Sequence, residues 1–266
     1  MALRADIPSN AITINRISFG ELAEVLTAGW RDFLRAPAFG LFFASVYALG
    51  GLALFAAVFQ FDMAWLAYPL VIGFALIGPF IASGLYEVSR RLEAGLPLTW
   101  SAVLGVVFNQ HRREFGWMAF VILFIFWVWM YQIRTLVAVF FGFEGFSTFS
   151  GFVEAVLTTP NGWTFLAVGH AVGAAISLVL FALTVVSCPM LLERDVDFVT
   201  AMLTSIRTIA LAPLPLLVWG CFVVVSMLLA AATAFAGLLI VLPVLGHATW
   251  HLYRRAISGG GGMTGK

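Results

Sequence analysis

Charge, lysine and cysteine are all scarce in this sequence, and each scarcity excludes something. Only 10% of its 266 residues are charged, against roughly 25% in ordinary soluble domains. With 62% hydrophobic residues and a mean hydropathy of +1.02, a soluble fold could not cover its own surface with polar atoms. A soluble enzyme, a nucleic-acid binder and a disordered chain are thereby excluded, and a polytopic membrane protein is left. A net charge of +1 supplies no global field for nucleic acid. Lys266 is the single lysine among 14 basic residues, a skew that reads as composition bias. Cys188 and Cys221 sit inside apolar runs with no zinc or disulfide spacing and read as small core hydrophobes. GxSxG, Walker, GxGxxG and HExxH motifs are absent. Four histidines are too few for a haem or copper oxidase core. The chain reads as non-catalytic, with no cofactor expected.

Long apolar runs are what the sequence does have. A membrane helix needs about 20 mostly apolar residues. On that measure six spans are expected, at Phe39–Phe59, Trp65–Glu87, Gly116–Phe141, Trp163–Met190, Leu214–Ala232 and Phe235–Tyr253. The last two form one run from Leu214 to Gly246. A hairpin at Thr233–Gly237 divides it, the alternative being one tilted helix. The first run starts only near Phe39, without a cleavage site, so no signal peptide is expected.

The arginines orient these spans. Arg4, Arg16, Arg31, Arg35, Arg90, Arg91, Arg112, Arg113, Arg194, Arg207, Arg254 and Arg255 all fall on one side of the bilayer. The other side holds Asp62, Glu144 and Glu154 with no basic residue. The positive-inside rule then puts both termini in the cytoplasm. Trp65 and Trp163 mark the outer interface, and Trp100, Trp117 and Trp250 the inner one.

Amphipathic segments precede the spans. From Ser18 to Arg35 apolar residues recur at Phe19, Leu22, Leu26, Trp30, Phe33 and Leu34, with Glu21, Glu24, Arg31, Asp32 and Arg35 elsewhere. Ser18 and Glu21 have capping-box spacing, and Pro37 ends the helix. Asp197–Leu211 repeats the pattern before Pro213, and Thr99–His111 is a looser version. Pro79 aligns with Pro243, and Arg90–Arg91 with Arg254–Arg255, without a gap; Pro189 stands in register in the fourth span. The expected fold is therefore all-α: six transmembrane helices in three helical-hairpin repeats, about 18–91, 99–190 and 197–255. Each repeat is preceded by a cytoplasmic interfacial helix. Residues 1–17 form a tail, 18–257 a single membrane domain, and 258–266 a flexible glycine-rich tail.

Two sets of polar residues are candidates for chemistry. Positions four and eight after each repeat proline share a helical face. They are Ser83 and Glu87, Glu193 and Asp197, and His247 and His251. If the span ends converge, these groups form a ring near the cytoplasmic surface, and Glu87, Glu193, Asp197, His247 and His251 become metal or proton-relay candidates. Ordinary interfacial polarity is the competing reading, and Asp197 also suits an N-cap. The second set is intramembrane. Arg134 in span three and His170 in span four lie at matched depths. Arg134 either pairs, with His170, Glu144 or Glu154, or snorkels to the headgroups. Phe140, Phe143, Phe146, Phe149 and Phe152 recur every three residues, as an aromatic docking stripe or as a helix lying on lipid.

The strings WRDFLRAPAFGLFFASVYALGG, GPFIASGLYEVSRRLEAG, ERDVDFVTAMLTSIR and LPVLGHATWHLYRRA give the chain, from about Ile12 to Ile257, a resemblance to an uncharacterised bacterial family. It is a domain-of-unknown-function family of six-helix integral membrane proteins, some of whose members carry a cytochrome c oxidase subunit label. The resemblance implies a bacterial inner-membrane location and an association with a respiratory complex, and it assigns no catalytic residue. The expected function is an accessory or scaffolding inner-membrane protein whose partners are the lipid bilayer and another integral membrane complex. The alternative is a small-solute or ion transporter that uses the polar groups between repeats.

Overall fold

A computed structural model describes residues 12–60, 67–109, 113–142, 146 and 149–259. Asp62, Trp65, His111, Arg112, Phe143, Glu144, the side chain of Phe149 and the tail residues 260–266 lie outside the described residues. The chain is nearly all helical. In order come α1 (Phe19–Arg35), α2 (Pro37–Phe59), α3 (Ala67–Glu93), α4 (Trp100–Asn109), α5 (Arg113–Phe141), α6 (Phe149–Thr158), α7 (Pro160–Thr184), α8 (Ser187–Glu193), α9 (Phe198–Leu211), α10 (Pro213–Ala232) and α11 (Leu238–Ala256). A short antiparallel ladder joins β1 (Thr13–Ile14) to β2 (Ile257–Ser258). Residues 13–17 of the expected tail are thus held, and Ile17 is buried. The helices divide into two compact units, Met1–Ala119 with Ala182–Lys266, and Phe120–Phe181.

The first unit is built around α11, which packs against α1, α2, α3, α8 and α10. Two glycines set how closely. A Cβ on Gly29 of α1 would stand 2.6 Å from the Ala248 nitrogen and the Val244 carbonyl of α11. A Cβ on Gly246 would stand 2.6 Å from Leu85 of α3. Backbone approach of this kind needs a residue without a side chain. The Ser18–Glu21 capping box is complete: the Ser18 N–H donates to Glu21 Oε2 at 2.8 Å and the Glu21 N–H to Ser18 Oγ at 3.4 Å. Pro37 stands at the first position of α2, where its missing N–H costs nothing. The apolar run after Leu214 is two helices. Residues 233–237 turn between them, with Ala234 and Phe235 at positive φ (51° and 65°), and the Gly237 N–H donates to Thr233 Oγ1 at 2.8 Å.

The amphipathic faces differ from the expected ones. In α1 the buried residues are Leu22, Val25, Gly29, Asp32 and Phe33, while Phe19, Trp30 and Leu34 are exposed. Glycine and a partnered aspartate turn inward because close helix contact and an ion pair reward them, which apolar periodicity does not register. α9 behaves likewise: Ala201, Thr204, Ser205 and Thr208 are buried, and Val199, Leu203 and Ile206 are exposed.

In the second unit only Val156 and Gly162 are buried among the described residues. Here the turn between α6 and α7 is closed by Thr159, whose hydroxyl oxygen accepts from the Gly162 N–H at 3.0 Å. Among the described phenylalanine side chains, Phe140, Phe146 and Phe152 pack against Phe141 and Phe165. Phe146 lies 5.3 Å from Phe141 and 5.1 Å from Phe152, and Phe165 lies 5.3 Å from Phe141, all near edge-to-face.

Among the described residues four helical stretches are long and apolar enough to cross a membrane: Pro37–Ala57, Glu114–Phe141, Pro160–Glu193 and Pro213–Ala232. The second and sixth expected spans are not among them. Polar residues crowd the C-terminal halves of α3 (Ser83, Glu87, Ser89, Arg90, Arg91) and α11 (His247, His251, Arg254, Arg255) and lower their hydropathy. An amphipathic helix followed by two long ones occurs at α1–α2–α3 and α9–α10–α11. The middle stretch adds α6 and breaks at Val185–Val186 before α8.

Candidate functional site: a buried polar junction

The C-terminal ends of α3, α8 and α11 meet in the first unit, beside the C-terminal turns of α1. Their last turns carry most of the polar side chains singled out from the sequence. Asp32 is buried on the α1 face against α11, and its Oδ2 lies 2.7 Å from His251 Nε2. Ser89 Oγ lies 2.8 Å from His247 Nδ1, and both side chains are fully buried. Ser89 stands next to Asp32, so four residues from three helices form one polar chain, His247–Ser89–Asp32–His251. Burial pushes the Asp32 carboxyl up, but the hydrogen bonds from His251 and Ser89 and the charges of His251 and His247 outweigh it, so Asp32 titrates below its usual range. His247 Nε2 is the one buried side-chain nitrogen or oxygen among the described residues that has no hydrogen-bond partner.

A second cluster lies beside this chain. Glu87, 1% exposed, accepts from Arg90 Nε at 2.7 Å, Arg90 Nη2 at 2.8 Å and Arg91 Nε at 2.6 Å. Two guanidiniums on one buried carboxylate leave it charge-compensated. Glu193 at the end of α8 accepts from the Tyr253 hydroxyl at 2.5 Å and Arg254 Nη1 at 2.7 Å. Arg194 Nε donates to the same Tyr253 oxygen at 2.8 Å. Glu93 of α3 accepts from Trp250 Nε1 at 3.0 Å and Arg254 Nε at 3.2 Å. Arg254 therefore ties α11 to both α3 and α8.

The span ends converge, and each ring residue has its own partner. Ser83 donates to the Phe80 carbonyl at 2.7 Å, within its own helix. Asp197 is exposed and caps α9, accepting from the Thr200 N–H at 2.9 Å and its hydroxyl at 2.6 Å; these hydrogen bonds hold its carboxyl low. Among the described residues no group of three or more His, Cys, Asp or Glu is arranged to hold a metal ion. Arg134 is exposed on α5 and His170 on α7. His170 Nδ1 donates to the Leu166 carbonyl at 2.7 Å, and no hydrogen bond joins it to Arg134 among the described residues. Glu154 lies exposed on α6, with no ion pair to Arg134 among the described residues.

Asp32, Ser89, Glu93, Trp250 and Tyr253 were missed as site residues. The local signal for Asp32 was its place three residues after Gly29, on one helical face with the tightest contact. For Ser89 and Glu93 it was their place on the turns flanking Arg90–Arg91.

The stretch from α3 to α8 also carries a family signature. Residues 67–193 match the family described as predicted integral membrane protein (DUF2189). The match takes in GPFIASGLYEVSRRLEAG, with Glu87, Ser89 and Glu93, and ends at Glu193. The strings around α1–α2 and α11 fall outside it. The described helices and this match together support an integral membrane protein, and the matched family is one of unknown function. No curated protein and no solved structure matches the chain.

Proposed function

We propose that this is a non-catalytic accessory protein of the bacterial inner membrane that docks onto another integral membrane complex. One contrast carries the reading: among the described residues of 120–181 only Val156 and Gly162 are buried, and Phe124, Trp127, Tyr131 and Leu178 turn outward. Lipid covers such a surface, and so does a partner's helices; a protein whose work lay within its own bundle would not need this much exposed aromatic surface at mid-span. The polar junction supports the same reading, because its carboxylates are paired and tie helices together. In this reading α1 and α9 lie at the cytoplasmic membrane surface with their exposed apolar faces on lipid. The N-terminal halves of α3 and α11 complete six spans in three hairpin repeats, and both termini are cytoplasmic.

Native membranes solubilised in mild detergent test this. The protein should migrate in a complex well above its own mass and fall to its own mass when the detergent is made harsh. Migration at its own mass throughout would refute the accessory role. For orientation, single cysteines at Ser147 and Leu96 in a chain without Cys188 and Cys221 should label from outside and from inside respectively. The reverse pattern would invert the topology.

A transporter reading draws on one observation, the buried and unpartnered His247 Nε2 beside Asp32 and His251. Ion or solute flux in proteoliposomes that vanishes in His247→Gln would favour it.

A further inference from the structure

Following from the accessory reading, we propose that the α5 face formed by Phe124, Trp127, Tyr131 and Arg134 binds a transmembrane helix of another protein that carries an aspartate or glutamate. These four residues are spaced by three, four and three, the seam of a helix that packs against a second helix. All four are exposed. Trp127 and Tyr131 pack against each other along the seam, tilted by 54° with ring centroids 4.6 Å apart.

The depth of the seam is what makes it specific. α5 runs from Arg113 to Phe141, so its midpoint is at Trp127. Tyr131 and Arg134 follow by about 6 and 10 Å at 1.5 Å per residue. Trp and Tyr normally sit at the headgroups, where the indole N–H and phenol O–H find acceptors. Here they stand at mid-span, where hydrocarbon offers none. Among the described residues neither of these groups, nor the Arg134 guanidinium, has a hydrogen bond or ion pair. Trp and Arg are donors only. The seam therefore presents one positive charge and several donors and calls for acceptors, best met by a carboxylate at the depth of Arg134.

Two other occupants fit less well. A headgroup phosphate beyond the end of α5 would require Arg134 to reach toward the C-terminus. Helical Cα–Cβ bonds lean toward the N-terminus, and so toward the midplane. From its four apolar stretches a second copy would bring no carboxylate to this depth, and Glu154 lies on the short α6 outside them. The acidic residues of the four apolar stretches are Glu114 and Glu193, at the ends of theirs.

Photo-crosslinking in native membranes tests the proposal. The crosslinking amino acid replaces Phe124 in the full chain, and the adducts are mapped to peptide segments. The expected adduct is an apolar segment of another protein with an Asp or Glu within it. Its yield should fall about tenfold or more in Arg134→Gln and hold within about twofold in Arg134→Lys. Neither variant removes a buried contact, and equal amounts in the membrane will confirm folding. An adduct to an acid-free segment, or one indifferent to Arg134→Gln, would overturn this proposal while leaving the accessory role standing. Adducts only to a second copy or only to lipid would overturn it in favour of self-association or a headgroup. If the complex in mild detergent is absent as well, the accessory role itself has failed.

Discussion

The two units of this protein solve the problem of burial in opposite ways. In Met1–Ala119 with Ala182–Lys266, helices approach until glycine is required, and charged groups are taken inside with partners: Asp32 with His251, Glu87 with Arg90 and Arg91. In Phe120–Phe181 the helices are long, apolar and almost unburied. The first unit supplies its own interior, whereas the described helices of the second leave almost all of their surface to their surroundings. Hydrophobicity alone therefore does not say which helices form the core. The most polar helix ends are the most buried parts of the molecule, because within a membrane polar groups gain most by meeting one another.

That contrast breaks most visibly at Glu87. Glu87→Ala leaves two guanidiniums facing each other across a buried gap. Stability in detergent should fall by about 3 kcal/mol, the low end for a broken buried pair because both arginines are partly solvated. A loss under about 1 kcal/mol by denaturant titration would show that the junction is not a tie. Next comes Asp32. Asp32→Asn removes the charged acceptor shared by His251 and Ser89 and should cost about 1.5–3 kcal/mol at neutral pH. Because the folded-state carboxyl is held below its usual range, its contribution is fully present above the unfolded value of about 3.9. It is lost as pH falls through the lower folded value. The gap between the wild-type and Asp32→Asn proteins should therefore be present at about pH 5 and close in stronger acid. A gap that widened in acid would reverse the assignment.

Gly29→Ala sharpens the comparison by packing alone. It forces a methyl against the α11 backbone and should cost about 1–3 kcal/mol, with Gly20→Ala, where an added Cβ meets nothing within 4 Å, as the control. The smallest effect belongs to the second unit. Gly173 has open space at its Cβ position, so Gly173→Ala should shift the melting temperature little, within about 0.5 kcal/mol. A large loss there would mean that 120–181 packs against something in the membrane even without its partner.

What could be read from the sequence was what short-range chemistry decides. The all-helical class, the Ser18–Glu21 cap, the end of α1 before Pro37, the Asp197 cap and the turn at 233–237 each depend on neighbours within a few residues. So did the placing of polar groups at the ends of α3, α8 and α11. Their partners were not legible, because Asp32 and His251 are 219 residues apart in the chain and nothing local links them. The face of α1 that meets α11 was not legible for the same reason. Gly29 and Asp32 look solvent-facing until α11 lies on top of them.

The pairing of α1 with α11, clasped by the β1–β2 ladder, has a consequence for synthesis. The site that Asp32 needs lies on a helix made 219 residues later. At about 5–20 residues per second, that is a wait of roughly 10–45 s. Throughout it α1 is present without its cover, with an ionisable side chain and a bare glycine groove exposed. The arrival of α11 therefore acts as an inspection step. A chain that stops before α11 displays α1 unshielded, in a form that quality-control proteases can distinguish from the finished protein.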